Sequence, residues 1–157
     1  KTASELVTIV NQLLAQGVPA EKIIINDRLD VAHSMNLKGA QLAFHSVNIQ
    51  LARKAYPHLM LGCSVHSVEE ALYAQQNGAD YLLFGHIYET TSKLDKKPRG
   101  LTQLNEIVRH VSIPVIAIGG IKPENVKEIH NNGGSGIAIM SGILSAQDVI
   151  TDRKSVV

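Results

Sequence analysis

An α/β fold with a parallel sheet is what this sequence predicts, on three observations. Six short apolar runs alternate with segments of helical periodicity, polar residues stand where the runs stop, and Gly-Gly and Ser-Gly turns follow the last two runs. The balance of 45% apolar to 18% charged residues over 157 positions is that of a globular chain able to bury a core.

The elements follow in order. Ser4 is the candidate N-cap of a first helix whose face carries Leu6, Ile9, Val10, Leu13 and Leu14, closed by Gly17 and Pro19. A buried-type strand over residues 22–26 ends in Asn26 and Asp27. A short helix over 29–35 leads to a strand over 40–44, with His45 and Ser46 at its end. The next helix, over 48–55, stops before Pro57. A third strand, 60–65, delivers Ser64 and His66, and Ser67 with Glu70 reads as a capping box for a helix that Gly78 ends. The run from Tyr81 to Phe84 stops at Gly85 and presents His86, with Glu89 three residues on. A polar loop over 88–100 holds Lys93, Lys96, Lys97 and Arg99, longer than the other connections and hence a candidate functional loop. After a helix over 101–110 come the apolar strand 114–118 with Gly119-Gly120, a helix opened by Pro123, and the strand 136–140 with Ser141-Gly142.

One helix followed by six strand-helix units predicts a (β/α)8 TIM barrel that lacks its first two strands and first helix. In such barrels phosphate is held on the loops after the final strands, where glycine lets backbone N–H groups approach an anion. Gly119, Gly120, Ser141 and Gly142 are therefore the candidate phosphate cradle; the plainer reading is that they only turn the chain. Lys1 in place of methionine fits a missing upstream segment, and residues 152–157 are read as a non-native tail because they lack periodicity and match a translated sequencing adapter. Residues 1–151 are read as one partial barrel domain.

Charge and cysteine content narrow the function classes. A net charge of +1 with scattered basic residues gives no signal for nucleic acid, and no run reaches membrane-spanning length. The lone Cys63 excludes an internal disulfide and fits a cytoplasmic setting. His45, His66 and His86 all follow strands but lack HxH or HExxH spacing, so neither a metal nor any other cofactor is predicted.

The residues leave alternatives. His86 either caps its strand by hydrogen bonding or moves a proton, for which an imidazole is suited near neutral pH. Glu89 either orients that ring or is a solvated carboxylate. Ser64 is a candidate substrate contact, and His66 either faces the pocket or serves as a helix cap or packing residue. Asn26 is candidate pocket lining, and Lys93 and Arg99 either reach an anionic substrate or stay solvated.

The strings IIINDRLDVA, LGCSVHS, YLLFGHIYET, PVIAIGGI and GIAIMSGI, in this order, resemble the TenI thiazole tautomerases of the thiamin phosphate synthase superfamily. The resemblance implies an isomerase of thiamin biosynthesis, with His86 returning a proton to a phosphorylated carboxythiazole tautomer and the two glycine turns holding its phosphate. Within the superfamily, synthases hold magnesium with two aspartates. Asp27 matches the first, and the second position is Ser46, which lacks the hard anionic oxygen Mg²⁺ favours. The alternatives are a thiamin phosphate synthase, a transferase, and a non-catalytic regulator. The predicted partner is the small thiazole phosphate, with a second copy of the chain possible in a homo-oligomer.

Overall fold

The computed structural model describes residues 1–90, 93 and 96–140. The chain divides into two compact units, residues 1–64 with 76–80, and residues 65–75 with those from 81 onward. The predicted tail, 152–157, and Ser141-Gly142 lie outside the described residues.

The first unit opens with α1 (Ala3–Ala15). Its N-cap is Thr2, not Ser4: the Thr2 hydroxyl accepts from the Glu5 N–H at 3.3 Å while the Glu5 carboxylate accepts from the Thr2 N–H at 2.7 Å. The reciprocal Thr-x-x-Glu pairing satisfies two donors at once, which Ser4 cannot match from inside the first turn. A short 3₁₀ turn, Ala20–Lys22, takes the start of the expected first strand, which shrinks to β1 (Ile24–Asn26). Then come α2 (Leu29–Ser34), β2 (Gly39–Leu42), α3 (Ile49–Ala55) and β3 (Met60–Val65). The strand expected over 40–44 ends early because the Ser46 hydroxyl takes the Ala43 N–H at 2.8 Å, and Phe44 is left 93% exposed.

β1 pairs in parallel with β2, and β2 with β3, in the register Asn26–Gln41–Gly62. Side chains alternate across a strand, so Ile25, Ala40, Leu42, Leu61 and Cys63 are buried on one face while Asn26, Gln41 and Ser64 share the other. Arg53 braces this unit. Its guanidinium donates to the carbonyls of Gly78, Pro57 and Leu59 at 2.7–3.0 Å and pairs with Asp80 at 2.6 Å. Asp80 in turn accepts the Leu61 N–H at 2.7 Å, so one ion pair fixes a strand, a helix and the turn before the next strand.

The second unit contains most of α4 (Val68–Gln76), then β4 (Tyr81–Gly85), α5 (Gly100–His110), β5 (Val115–Ile118), α6 (Val126–Asn131) and β6 (Gly136–Ala138). β4 pairs in parallel with β5, and β5 with β6. The described residues thus form an α/β fold with six parallel strands. The core of this unit is Leu82, Phe84, Leu104, Ile107, Val115, Ala117 and Ile129, each at most 1% exposed. Pro123 opens a 3₁₀ turn, Pro123–Asn125, rather than α6 itself, and the last strand is three residues instead of five.

Candidate functional site

In the first unit the candidate residues gather at the C-terminal ends of the strands. Asp27, just past β1, has φ +68, a left-handed conformation that aspartate tolerates better than most residues. The turn holds itself: the Arg28 N–H donates to the Asn26 carbonyl at 2.9 Å and the Leu29 N–H to the Asp27 carbonyl at 3.0 Å. Asn26 is exposed and Ser64 half-buried on the same sheet face. Between them lies Gln41, the one polar side chain of β2, which donates through Nε2 to the Ser64 hydroxyl at 3.1 Å. Sequence reasoning passed over Gln41. The signal was there, an amide interrupting the apolar stretch GAQLAF. Cys63, on the opposite face, is a neutral thiol: burial pushes it up to about 11.

A separate cleft of about 430 Å³ lies at the other ends of β2 and β3, lined by Lys38, His58 and Met60 among others. It begins where the strands begin, away from the polar row.

In the second unit His86 is buried, 4% exposed, at the end of β4. Its Nε2 stands 3.0 Å from the Lys96 carbonyl. A carbonyl can only accept, so Nε2 carries the hydrogen and donates. The loop is also tied at its base, where the Arg99 N–H donates to the His86 carbonyl at 2.9 Å and the Gly100 N–H to the Ile87 carbonyl at 3.1 Å. Arg99, far from being a solvated loop cation, is half-buried and donates to the carbonyls of Gly85 at 3.2 Å and His66 at 2.9 Å. Ser67, not His66, caps α4: its hydroxyl accepts the Glu70 N–H at 3.2 Å, and the His66 N–H donates to the Glu70 carboxylate at 2.7 Å. Glu89 and Lys93 are exposed.

The Gly119-Gly120 turn lies against the His86 turn. Both glycines have positive φ, +97 and +66. A Cβ on Gly119 would meet Cβ of His86 at 2.3 Å, and one on Gly120 would meet the Glu89 carbonyl oxygen at 2.4 Å. Close backbone approach by itself requires glycine at both places. Tyr88 donates to the Glu128 carboxylate at 3.0 Å, and burial together with that carboxylate pushes the phenol up to about 12. Among the described residues, no group of three or more His, Cys, Asp and Glu is placed to hold a metal ion. No described helix is long and apolar enough to cross a membrane.

A family model described as thiamine monophosphate synthase matches residues 1–143. The chain belongs to the thiamine monophosphate synthase family. Within this family it is 46% identical over 125 residues to the thiamine-phosphate synthase of Pyrococcus horikoshii, covering 80% of this chain and 60% of that one. To the thiamine-phosphate synthase of Chloroflexus aurantiacus it is 42% identical over 134 residues, covering 85% and 61%. The chain thus spans about 60% of the length of these curated relatives. The solved thiamine phosphate pyrophosphorylase of Pyrococcus furiosus superposes with a TM-score of 0.87 at 36% identity, over 99% of this chain and 76% of the other. A 3-hexulose-6-phosphate synthase, 14% identical with a TM-score of 0.64 over 82% of this chain, shares the fold.

These relatives correct the expected activity. The tautomerase and isomerase readings rested on the likeness of five strings to the thiazole tautomerases and on Ser46 at the second aspartate position, whereas relatives at 42–46% identity carry the synthase name. The superfamily membership stands; the thiazole tautomerase assignment does not.

Proposed function

We propose that this chain is the greater part of a thiamine-phosphate synthase, a transferase that joins a pyrimidine pyrophosphate to a thiazole phosphate and releases pyrophosphate. The observation that carries this reading is identity of 42–46% with synthases over four-fifths of the chain or more. In the whole enzyme the six strands are six of the eight of a (β/α)8 barrel, a reading supported by the parallel strands and by polar side chains at their C-terminal ends.

Residue roles are assigned from place along the sequence, after the strands. Asn26 and Ser64 offer hydrogen bonds to the substrate from one sheet face. Gly119 and Gly120, with Ser141 and Gly142, take the thiazole phosphate on backbone N–H groups, and Lys93 neutralises charge on the departing pyrophosphate. His86 holds the loop after β4 through the Lys96 carbonyl, a positioning role.

Synthases of this superfamily use magnesium, so the donor set must be tested. Mg²⁺ keeps several waters and is held by one or two carboxylates together with substrate phosphates. Asp27 supplies one carboxylate, half-buried at a strand end, and the Ser46 hydroxyl is engaged as acceptor of the Ala43 N–H. The residues fit a one-carboxylate site, with Asp27 as its protein ligand. When bound, the cation neutralises the pyrophosphate. The test is to incubate the full-length enzyme with both substrates and Mg²⁺ and detect thiamine phosphate by mass. Formation of that product supports the reading; unchanged substrates overturn it.

A further inference from the structure

We propose that Gln41 is a positioning residue that fixes the Ser64 hydroxyl as a hydrogen-bond donor toward an acceptor atom of the substrate. The inference rests on the synthase reading above, and its geometry lies within the first unit.

Gln41 and Ser64 stand on neighbouring strands and on one face. Gln41 pairs with Gly62 in the ladder, and Ser64 is two residues beyond Gly62. Both side chains are half-buried, which limits the water available to compete. The Gln41 Nε2 lies 3.3 Å from the Leu42 carbonyl and 3.1 Å from Ser64 Oγ. Because the Leu42 carbonyl can only accept, the group facing it is the NH₂ end of the amide, which fixes the amide orientation. One amide hydrogen goes to Leu42 and the other to Ser64. Ser64 Oγ therefore accepts from Gln41, and its own hydrogen is left to donate elsewhere.

A lone serine hydroxyl rotates and donates in several directions. Here the amide occupies one lone pair and biases the hydroxyl before substrate arrives, so less ordering is left to binding. The matching group is an acceptor, either a pyrimidine ring nitrogen or a phosphoryl oxygen. A carboxylate at position 41 reverses the arrangement, since it only accepts and the serine would have to donate to it.

The experiment uses the full-length enzyme, with kcat and KM measured for each substrate in wild type, Gln41→Glu, Gln41→Met, Ser64→Ala and the Gln41→Met/Ser64→Ala double variant, alongside thermal melts. Loss of one neutral hydrogen bond predicts about a tenfold fall in kcat/KM for Ser64→Ala, and Gln41→Glu falls by at least about as much. The double variant stays within about twofold of Ser64→Ala, because Gln41 acts only through the hydroxyl. The substrate whose KM rises identifies the acceptor, pyrimidine pyrophosphate or thiazole phosphate. Additive losses in the double variant, or wild-type kinetics for Gln41→Glu, overturn the proposal while leaving the synthase reading intact. A wild type that forms no thiamine phosphate overturns both.

Discussion

Gly119 and His86 approach so closely that a methyl group on the glycine would stand 2.3 Å from Cβ of the histidine. Gly119→Ala therefore meets two penalties, a clash and a side chain at φ +97. Left-handed strain alone costs about 1–3 kcal/mol, and the clash adds to it. Gly17→Ala is the control, at φ +84 with nothing within 4 Å of the added carbon. Denaturant titration is expected to show a clearly larger loss for Gly119→Ala; equal losses would mean that the His86 turn moves aside at no cost.

Arg53 satisfies three carbonyls and one carboxylate with a single guanidinium. Arg53→Met takes the donor from the part-buried Gly78 and Leu59 carbonyls, while Asp80 keeps the Leu61 N–H, a predicted loss of about 1–3 kcal/mol by denaturant unfolding. Arg53→Lys recovers only part of it, because an ammonium cannot reproduce the planar fork. A methionine variant as stable as wild type would remove Arg53 from its bracing role.

Tyr88 makes a prediction at high pH. Its phenol is pushed up to about 12 in the folded chain, from an ordinary value of 10.0. Between these values the folded state keeps a proton that the unfolded state has lost. Stability from this group is therefore complete below about pH 10 and lost as pH rises toward about 12. Tyr88→Phe removes the contribution, so the stability of wild type relative to the variant falls across that window. A difference that does not change with pH counts against the Tyr88–Glu128 hydrogen bond.

Asp27 and Ser46 predict how magnesium dependence responds to substitution. Asp27→Asn removes the one carboxylate and is expected to lower turnover by at least about a hundredfold at any practical Mg²⁺ concentration. Ser46→Asp adds a second carboxylate while keeping an acceptor for the Ala43 N–H. It is expected to lower the Mg²⁺ concentration for half-maximal activity. A magnesium titration checks both, and an unchanged midpoint for Ser46→Asp would place position 46 away from the cation.

Much of the architecture was legible because strand and helix periods differ. The run from Met60 to Val65 and the short helix after Asp27 were located almost to the residue, since apolar runs stop at polar residues and glycine punctuates the turns. The short strands resisted: Ser46 draws the chain out of β2 through a side-chain hydrogen bond that no pattern of apolar residues announces. Thr2 outcompeted Ser4 because only Thr2 has Glu5 at the reciprocal position.

The candidate site was less legible. Asn26, Asp27, Ser64 and His86 were visible as polar residues ending strands. Gln41 was not, because its significance lies in a partner 23 positions away on the neighbouring strand. Arg99 looked like any loop cation until its carbonyl partners at Gly85 and His66 fixed it. The activity departed from expectation for a different reason: strings such as YLLFGHIYET and the serine at position 46 pointed to a tautomerase, while likeness over four-fifths of the chain points to synthases.

The central claim is that this chain serves a transferase, and the amount of pyrophosphate set free tests it most directly. Full-length enzyme given a pyrimidine pyrophosphate, a thiazole phosphate and Mg²⁺ is predicted to liberate one pyrophosphate for each thiamine phosphate formed, with both products forming far more slowly when Asp27 is replaced by asparagine. Release of no pyrophosphate by the wild type, with both substrates recovered intact, would contradict the account.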